Sequence, residues 1–170
     1  VRVVVIDSDV DSGGVSARVG TDNAAAGQLS GEAVLDTADE HIVVGIVNCF
    51  EETQNCQERE RGLREALRAD ARVKGIYVVN VSTYAEEARE AAAQLLQEHP
   101  EINVLVGFNE PLAVGVAEAV DGLGLAGQVR AVVFDTNMRC VELMQTGAVT
   151  ALIVQNPYAM GYLGVEKAWQ

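Results

Sequence analysis

The sequence has 170 residues, 49% of them hydrophobic and only 5% aromatic, which is enough for the core of one α/β domain. Its formal net charge is −13, from 25 acidic and 12 basic residues. Binding to nucleic acid requires a basic surface that neutralises phosphates, so the charge argues against DNA or RNA contact by this segment. No apolar run reaches the length of a transmembrane helix.

Apolar runs alternate with helical patterns along the chain. Strands are predicted at 3–6, 41–47, 75–81, 103–108, 129–134 and 149–154. Helices are predicted at 23–36, 56–71, 84–98, 111–123, 138–146 and 157–169. The polar, glycine-containing passage 7–20 is the best linker candidate. This unbroken alternation with short connections predicts an α/β fold, a doubly wound parallel sheet with helices on both faces.

Three predicted strands end directly at a polar side chain that opens a helix. These side chains are Asn109, Asp135 and Gln155. Ligands of open parallel sheets bind at the carboxyl ends of the strands, so we expect the three to lie side by side on one rim. Two amides and a carboxylate suit a neutral polyhydroxyl compound. The alternative is that each is a helix N-cap, an interpretation that is weakest for glutamine.

Two more residues are candidates because of their positions. Asp7 ends the first strand in the same way, before a loop that contains Asp9 and Asp11. The pattern of an EF-hand is absent there, so a turn or a hydroxyl acceptor is the better interpretation than Ca²⁺ binding. The helix at 56–71 mixes arginine with glutamate, which predicts ion pairs on a solvated face. Arg59, nearest its start, is the one arginine of that helix expected to reach ligand.

No motif predicts catalysis, a nucleotide cofactor or a metal. GxGxxG, GxxxxGK[ST] and GxSxG do not follow any strand, and His41 and His99 are poorly placed for acid–base chemistry. The three cysteines form no CxxC, which argues against a zinc site. Cys49 and Cys56 could pair across a loop, but we favour buried or free thiols. An odd count, completed by Cys140, argues mildly against an oxidising compartment.

Six segments, taken in order, resemble one known family. They are VVVIDSDV (3–10), VGTDNAAAG (19–27), QERERGLREAL (57–67), LVGFNEPLAVGV (105–116), VVFDTN (132–137) and LIVQNPYAMGYLGVE (152–166). Together they resemble the type I periplasmic binding proteins of sugar ABC transporters, in the ribose-binding-like branch. That branch shares its fold with the effector domains of the lactose-repressor family.

The resemblance implies a two-lobed protein whose lobes are joined by three crossing strands and hold sugar in a cleft, closing over it by a hinge. Residues 1–20 then correspond to the last strand and first hinge crossing of an N-terminal lobe that is otherwise missing. Residues 21–154 correspond to the C-terminal lobe. Residues 155–170 correspond to the hinge recrossing and a helix of the first lobe. A chain that begins within a strand is accordingly expected to be a fragment.

The resemblance also implies site residues. The family's sugar contacts fall on Asp7, Asn109, Asp135 and Gln155. An arginine usually begins the QERER-like helix and contacts sugar, and the matching register gives Gln57, with Arg59 two residues later. Tyr84 matches a position where an aromatic side chain lines the cleft. Gln57, and Ser8 where the family often has arginine, favour a sugar or polyol other than ribose.

The implied function is solute binding without catalysis or cofactor. The protein would recognise a monosaccharide or polyol in the periplasm or elsewhere outside the cytoplasm and deliver it to an ABC permease. The alternatives are a cytoplasmic effector domain of a lactose-repressor-type regulator and a sugar-sensing ectodomain. The chain alone is expected to bind sugar weakly, because half of the cleft is absent, and to self-associate through exposed apolar surface.

Overall fold

The computed structural model describes residues 2–8, 10, 12–37, 39–50 and 53–170. The acidic loop residues Asp9 and Asp11 therefore lie outside the described residues. Strands are β1 Val4–Ile6, β2 Ala17–Val19, β3 Ile42–Cys49, β4 Val73–Val81, β5 Val104–Gly107, β6 Arg130–Phe134 and β7 Ala151–Ile153. Helices are α1 Asn23–Leu35, α2 Gln54–Leu67, α3 Ala85–Glu98, α4 Glu110–Gly122, α5 Met138–Gln145 and α6 Pro157–Trp169.

The chain divides into two compact units. The smaller unit is Val1–Asp22 with Gln155–Gln170, and the larger unit is Asn23–Val154. The assignment of 1–20 and 155–170 to a first lobe, and of 21–154 to a second, stays a prediction. Among the helices that the structure describes, none has the length and apolar character of a membrane span.

The larger unit is built on a five-stranded parallel sheet in the order β4-β3-β5-β6-β7. Helix α1 packs on α2, and α3 packs on α4, which also contacts α5. All eight residues of β3 and all four of β5 are buried, as expected for apolar strands covered on both faces. The predicted α/β class with a doubly wound parallel sheet is confirmed.

Glycines let α1 and α2 approach closely. A Cβ atom on Gly27 would collide with the backbone of Arg59, and one on Gly62 would collide with the backbone of Ala24. Small residues at these two positions therefore set the distance between the helices. Because the backbone of Arg59 itself meets Gly27, this contact fixes where Arg59 lies relative to α1.

The smaller unit pairs β1 with β2 in parallel and packs both against α6. The side chain of Ile6 lies directly against Gly164 of α6. Strand β2 lies inside the passage 7–20, so the prediction of a linker there is wrong for Ala17–Val19. Its three residues carry too short and too weakly apolar a pattern to be recognised, and pairing with β1 supplies the ordering that the pattern lacks.

Candidate ligand-binding site

Two polar residues lie level with each other at the carboxyl edge of the larger unit's sheet. Strands β5 and β6 are parallel neighbours, and Gly107 pairs with Val133. Asn109 and Asp135 each follow two residues after that pair. These two residues, with Arg59, are called the rim of the larger unit below. Ligands of parallel sheets bind at this edge.

Asn109 caps helix α4. Its Oδ1 accepts a hydrogen bond from the backbone N–H of Leu112 at 3.0 Å, so the N-cap interpretation is correct. That contact directs the Nδ2 end of the amide the other way, where it donates to Sγ of Cys49 at 3.1 Å. Asn109 is only half-buried. It is therefore both a helix cap and a polar group at the rim.

Asp135 has a main-chain conformation that L-residues rarely adopt. Its φ is 66°, in the left-handed region, and its N–H donates to the carbonyl of Ile153 at 2.9 Å. It does not cap α5, because Oδ1 of Asn137 accepts from the N–H of Cys140 at 2.8 Å in that role. The N-cap interpretation of Asp135 is wrong. Strained conformations of this kind concentrate at ligand sites.

Arg59 lies beneath the exits of β5 and β6. Its side chain is 2% exposed, Nε donates to Oδ1 of Asn23 at 2.9 Å, and Nη1 donates to the carbonyl of Phe108. The guanidinium also lies 4.8 Å from the centre of the Phe134 ring, a cation–π contact. Phe108 precedes Asn109 and Phe134 precedes Asp135, so Arg59 contacts the strand ends that carry the other two rim residues.

The expectation of a solvated ionic face on α2 is therefore correct only in part. Arg64 pairs with Glu60 one turn earlier at 2.7 Å, as that expectation requires. Arg59 instead points inward, because its side of α2 packs on α1 and on the sheet. A direct contact between Arg59 and ligand stays a prediction.

Gln57 and Tyr84 follow strands β3 and β4, which lie on one side of the rim strands β5 and β6 in the sheet. Gln57 directs Nε2 to the carbonyls of Cys49 and Phe50, at 3.3 and 3.4 Å. Tyr84 is the N-cap residue of α3 and is 67% exposed, past the end of the edge strand β4. Strand β3 separates β4 from β5 in the sheet. Ligand contacts by Gln57 and Tyr84 stay predictions.

Cys49 and Cys56 form a disulfide. Their Cα atoms are 6.0 Å apart, and seven positions separate them in the sequence. The interpretation of these two as free thiols is wrong, because the end of β3 and the first turn of α2 face each other across a short loop. Cys140 is free and buried, and burial raises the pKa of its thiol. The disulfide lies directly beside Asn109 of the rim.

Asp7 and Gln155 belong to the smaller unit. Asp7 follows β1 and is exposed, with φ of 70° and its N–H donating to the carbonyl of Val19 at 2.9 Å. It therefore shares with Asp135 both its place after a strand and its left-handed conformation. Oε1 of Gln155 accepts from the hydroxyl of Thr21 at 2.6 Å.

Gln155 is not the cap of α6. Oδ1 of Asn156 accepts from the N–H of Ala159 at 2.9 Å and takes that role. The N-cap interpretation is thus wrong for Gln155 as it is for Asp135. The sequence alone does not distinguish the residue that follows the strand from the true N-cap. That cap lies two positions later at Asn137 and one position later at Asn156.

The rim combines an amide, a carboxylate and a guanidinium, all of them hydrogen-bonding groups. Among the residues that the structure describes, no group of three histidine, cysteine, aspartate or glutamate side chains could hold a metal ion. The fold is that of an α/β protein with a parallel sheet, and proteins of this class bind small ligands at the carboxyl ends of their strands.

The family follows from sequence comparison. A model of the periplasmic binding protein domain matches residues 1–170, and the chain belongs to that family. The resemblance to periplasmic sugar-binding proteins of the ribose-binding type is confirmed.

Two curated relatives and one solved structure illustrate the similarity. The chain is 30% identical over 150 residues to a D-ribose/D-allose-binding protein of Pseudomonas aeruginosa, covering 88% of this chain and 47% of that protein. It is 27% identical over 174 residues to the D-allose-binding periplasmic protein of Escherichia coli, covering 98% and 56%. The periplasmic component of an ABC-type sugar transport system from Hahella chejuensis superimposes with a TM-score of 0.91, at 31% identity, covering 99% of this chain and 62% of that one. The chain spans about half the length of the curated relatives it matches.

Proposed function

We propose that this chain is part of a solute-binding protein that recognises a monosaccharide or polyol and delivers it to an ABC permease. The observation that carries the proposal is the pair Asn109 and Asp135, level with each other at the exits of adjacent parallel strands. Asp135 is held in a left-handed conformation and does not serve as a cap, so capping does not account for it. The relatives' names support a sugar ligand.

The rim suits hydroxyl groups. A carboxylate accepts hydrogen bonds from hydroxyls, and a charged acceptor makes the stronger bonds. The Nδ2 group of Asn109 can donate to a hydroxyl oxygen, while Arg59 holds both strand ends from beneath. We propose Asp7 and Gln155 as further hydroxyl contacts, Gln155 with its carbonyl oxygen already oriented by Thr21. Binding, not catalysis, is the proposed activity.

The proposed location is outside the cytoplasm. The Cys49–Cys56 disulfide supports it, because disulfides persist in the periplasm and other oxidising compartments. The Escherichia coli D-allose-binding relative is itself a periplasmic protein by name.

The experiment is calorimetric titration of the complete natural protein with D-ribose, D-allose, D-arabinose, D-fucose, glucose, galactose and polyols. We expect binding to at least one of them, and a loss of about tenfold or more in affinity on Asp135→Asn, since a hydrogen bond to a charged group contributes about 1.5–3 kcal/mol. Asp121→Asn is the matched control: it makes the same change of charge near the far end of α4. Silence across the whole panel would refute the proposal.

A further inference from the structure

We propose that the Cys49–Cys56 disulfide is a positioning element of the ligand site. It fixes the amide of Asn109, so the protein with the oxidised pair binds its sugar more tightly than the protein with the reduced pair. This inference rests on the proposed function, because Asn109 is assigned there as a ligand contact. It makes ligand affinity sensitive to the redox state of two residues that are themselves buried.

The first argument comes from the hydrogen bonds of the Asn109 side chain. Its Oδ1 is used by the N–H of Leu112, which leaves the Nδ2 group facing the disulfide. Nδ2 lies 3.1 Å from Sγ of Cys49 and 3.9 Å from Sγ of Cys56. Sulfur is a weak acceptor, so its main effect is to fix a donor rather than to stabilise the fold. Both ends of the amide are thus held before any ligand arrives.

The second argument is that α2 contacts two consecutive residues of the β5 exit. Cys56 is in the first turn of α2, and Arg59 follows it by three residues on the same helix. Arg59 donates to the carbonyl of Phe108, while the disulfide sulfurs accept from Asn109. The covalent link joins this turn of α2 to the end of β3, the strand that pairs with β5. A loosened link therefore affects the rim and not only the loop.

Reduction is a two-electron step. A dithiol reductant such as dithiothreitol supplies two electrons and two protons, the S–S bond breaks, two thiols form, and the reductant becomes a cyclic disulfide. The two sulfurs are then free to separate, and Nδ2 of Asn109 loses its fixed acceptor. Cys49 and Cys56 are 0% and 1% exposed, so substitution is a cleaner test than brief treatment with reductant.

The test compares two double variants with the wild type in the complete natural protein. The C49A/C56A variant removes both the link and the sulfur acceptors, whereas C49S/C56S removes the link but keeps acceptor oxygens. With D-allose and D-ribose as probes in calorimetry, we expect C49A/C56A to weaken binding by about threefold to tenfold, the range for one hydrogen bond. C49S/C56S should recover part of that loss. Cys140→Ala, which removes the buried free thiol elsewhere, should leave the affinity unchanged.

A spectroscopic signature separates positioning from general loss of stability. The side-chain amide resonances of Asn109, assigned by their disappearance in Asn109→Asp, should shift in C49A/C56A and stay in place in Cys140→Ala. If C49A/C56A does not fold, wild-type protein reduced to completion with dithiothreitol is measured by the same two criteria.

The outcomes are distinct. Suppose that the wild type binds sugar, and that C49A/C56A has the same affinity and the same Asn109 resonances as the wild type. That result would overturn this inference alone and leave the proposed function standing. Wild-type silence towards both probes and the rest of the sugar panel would overturn the proposed function and this inference with it.

Discussion

Asp135, a proposed ligand contact, has a main-chain conformation that costs stability. Its φ of 66° is the conformation that glycine adopts freely and that a Cβ atom disfavours. Asp7 has the same conformation, at 70°, in the smaller unit. Aspartate tolerates this region better than most residues, which allows a carboxylate to stand where a glycine would otherwise be favoured.

Glycine and alanine at position 135 should therefore separate stability from affinity. Both Asp135→Gly and Asp135→Ala remove the carboxylate, but only alanine keeps a Cβ atom at a positive φ. We expect the free energy of unfolding to be about 1 kcal/mol higher for the glycine variant than for the alanine variant. Sugar affinity should fall equally in both. Chemical denaturation with calorimetric titration measures the two quantities, and equal stability of the variants would contradict the argument from strain.

For single residues, the sequence predicts those positions that depend only on the direction of the strands. Asn109 and Asp135 could be placed because parallel strands deliver their last residues to a common edge. The inward turn of Arg59 and the pairing of Cys49 with Cys56 could not. Both depend on how closely α2 approaches α1 and β3, a distance set by tertiary packing that no local pattern records.

At the scale of helices and strands, the close contact between α1 and α2 has consequences for stability. Gly62 lies where a Cβ atom would meet the backbone of α1, so a methyl group there must push the helices apart. Backbone cannot rotate away as a flexible side chain can. Displacing α2 would also move Arg59, whose hydrogen bonds reach Asn23 and Phe108.

Gly62→Ala is therefore expected to lower the free energy of unfolding by about 1–3 kcal/mol, the usual cost of overpacking. Gly122→Ala is the matched control, because a Cβ atom at Gly122, the last residue of α4, meets nothing within 4 Å. Better helix propensity should leave that variant as stable as the wild type or more so. Urea denaturation of the three proteins checks the difference. A Gly62→Ala protein as stable as the control would mean that α2 can shift without cost.

Element prediction succeeded where patterns were long and failed where they were short. The largely apolar runs of β3, β5 and β6 and the proline that opens α6 can be recognised in the sequence. Strand β2 has only Ala17–Val19 and follows two glycines, so its order comes from β1 and α6. A window of three residues cannot show that its strand pairs with another strand elsewhere in the chain.

For the molecule as a whole, one helix face has consequences for solution behaviour. The exposed large residues of α6 include Tyr158 at 82%, Tyr162 at 63%, Val165 at 71% and Trp169 at 92%. Their spacing of four, three and four positions puts them on one face. An apolar stripe of this kind is unfavourable in water.

We expect the 170-residue chain to self-associate reversibly as its concentration rises. Tyr162→Glu should weaken the association, because it places a charge in the stripe. Tyr84→Glu is the comparison, since Tyr84 is also an exposed tyrosine but lies outside α6. Light scattering across a range of concentrations measures the mass. A wild-type chain that stays monomeric throughout would refute the expectation.

Strand β3 has a consequence for the larger unit. It is buried along its whole length and has hydrogen-bonded neighbours on both sides, β4 and β5. Amide protons in such a strand have no local route to solvent, so they exchange with deuterium only when the unit opens as a whole. The slowest-exchanging amides of 42–49 thus measure the global free energy of unfolding of the unit, and through Cys49, the last residue of the strand, the disulfide ties α2 to this slowly exchanging strand.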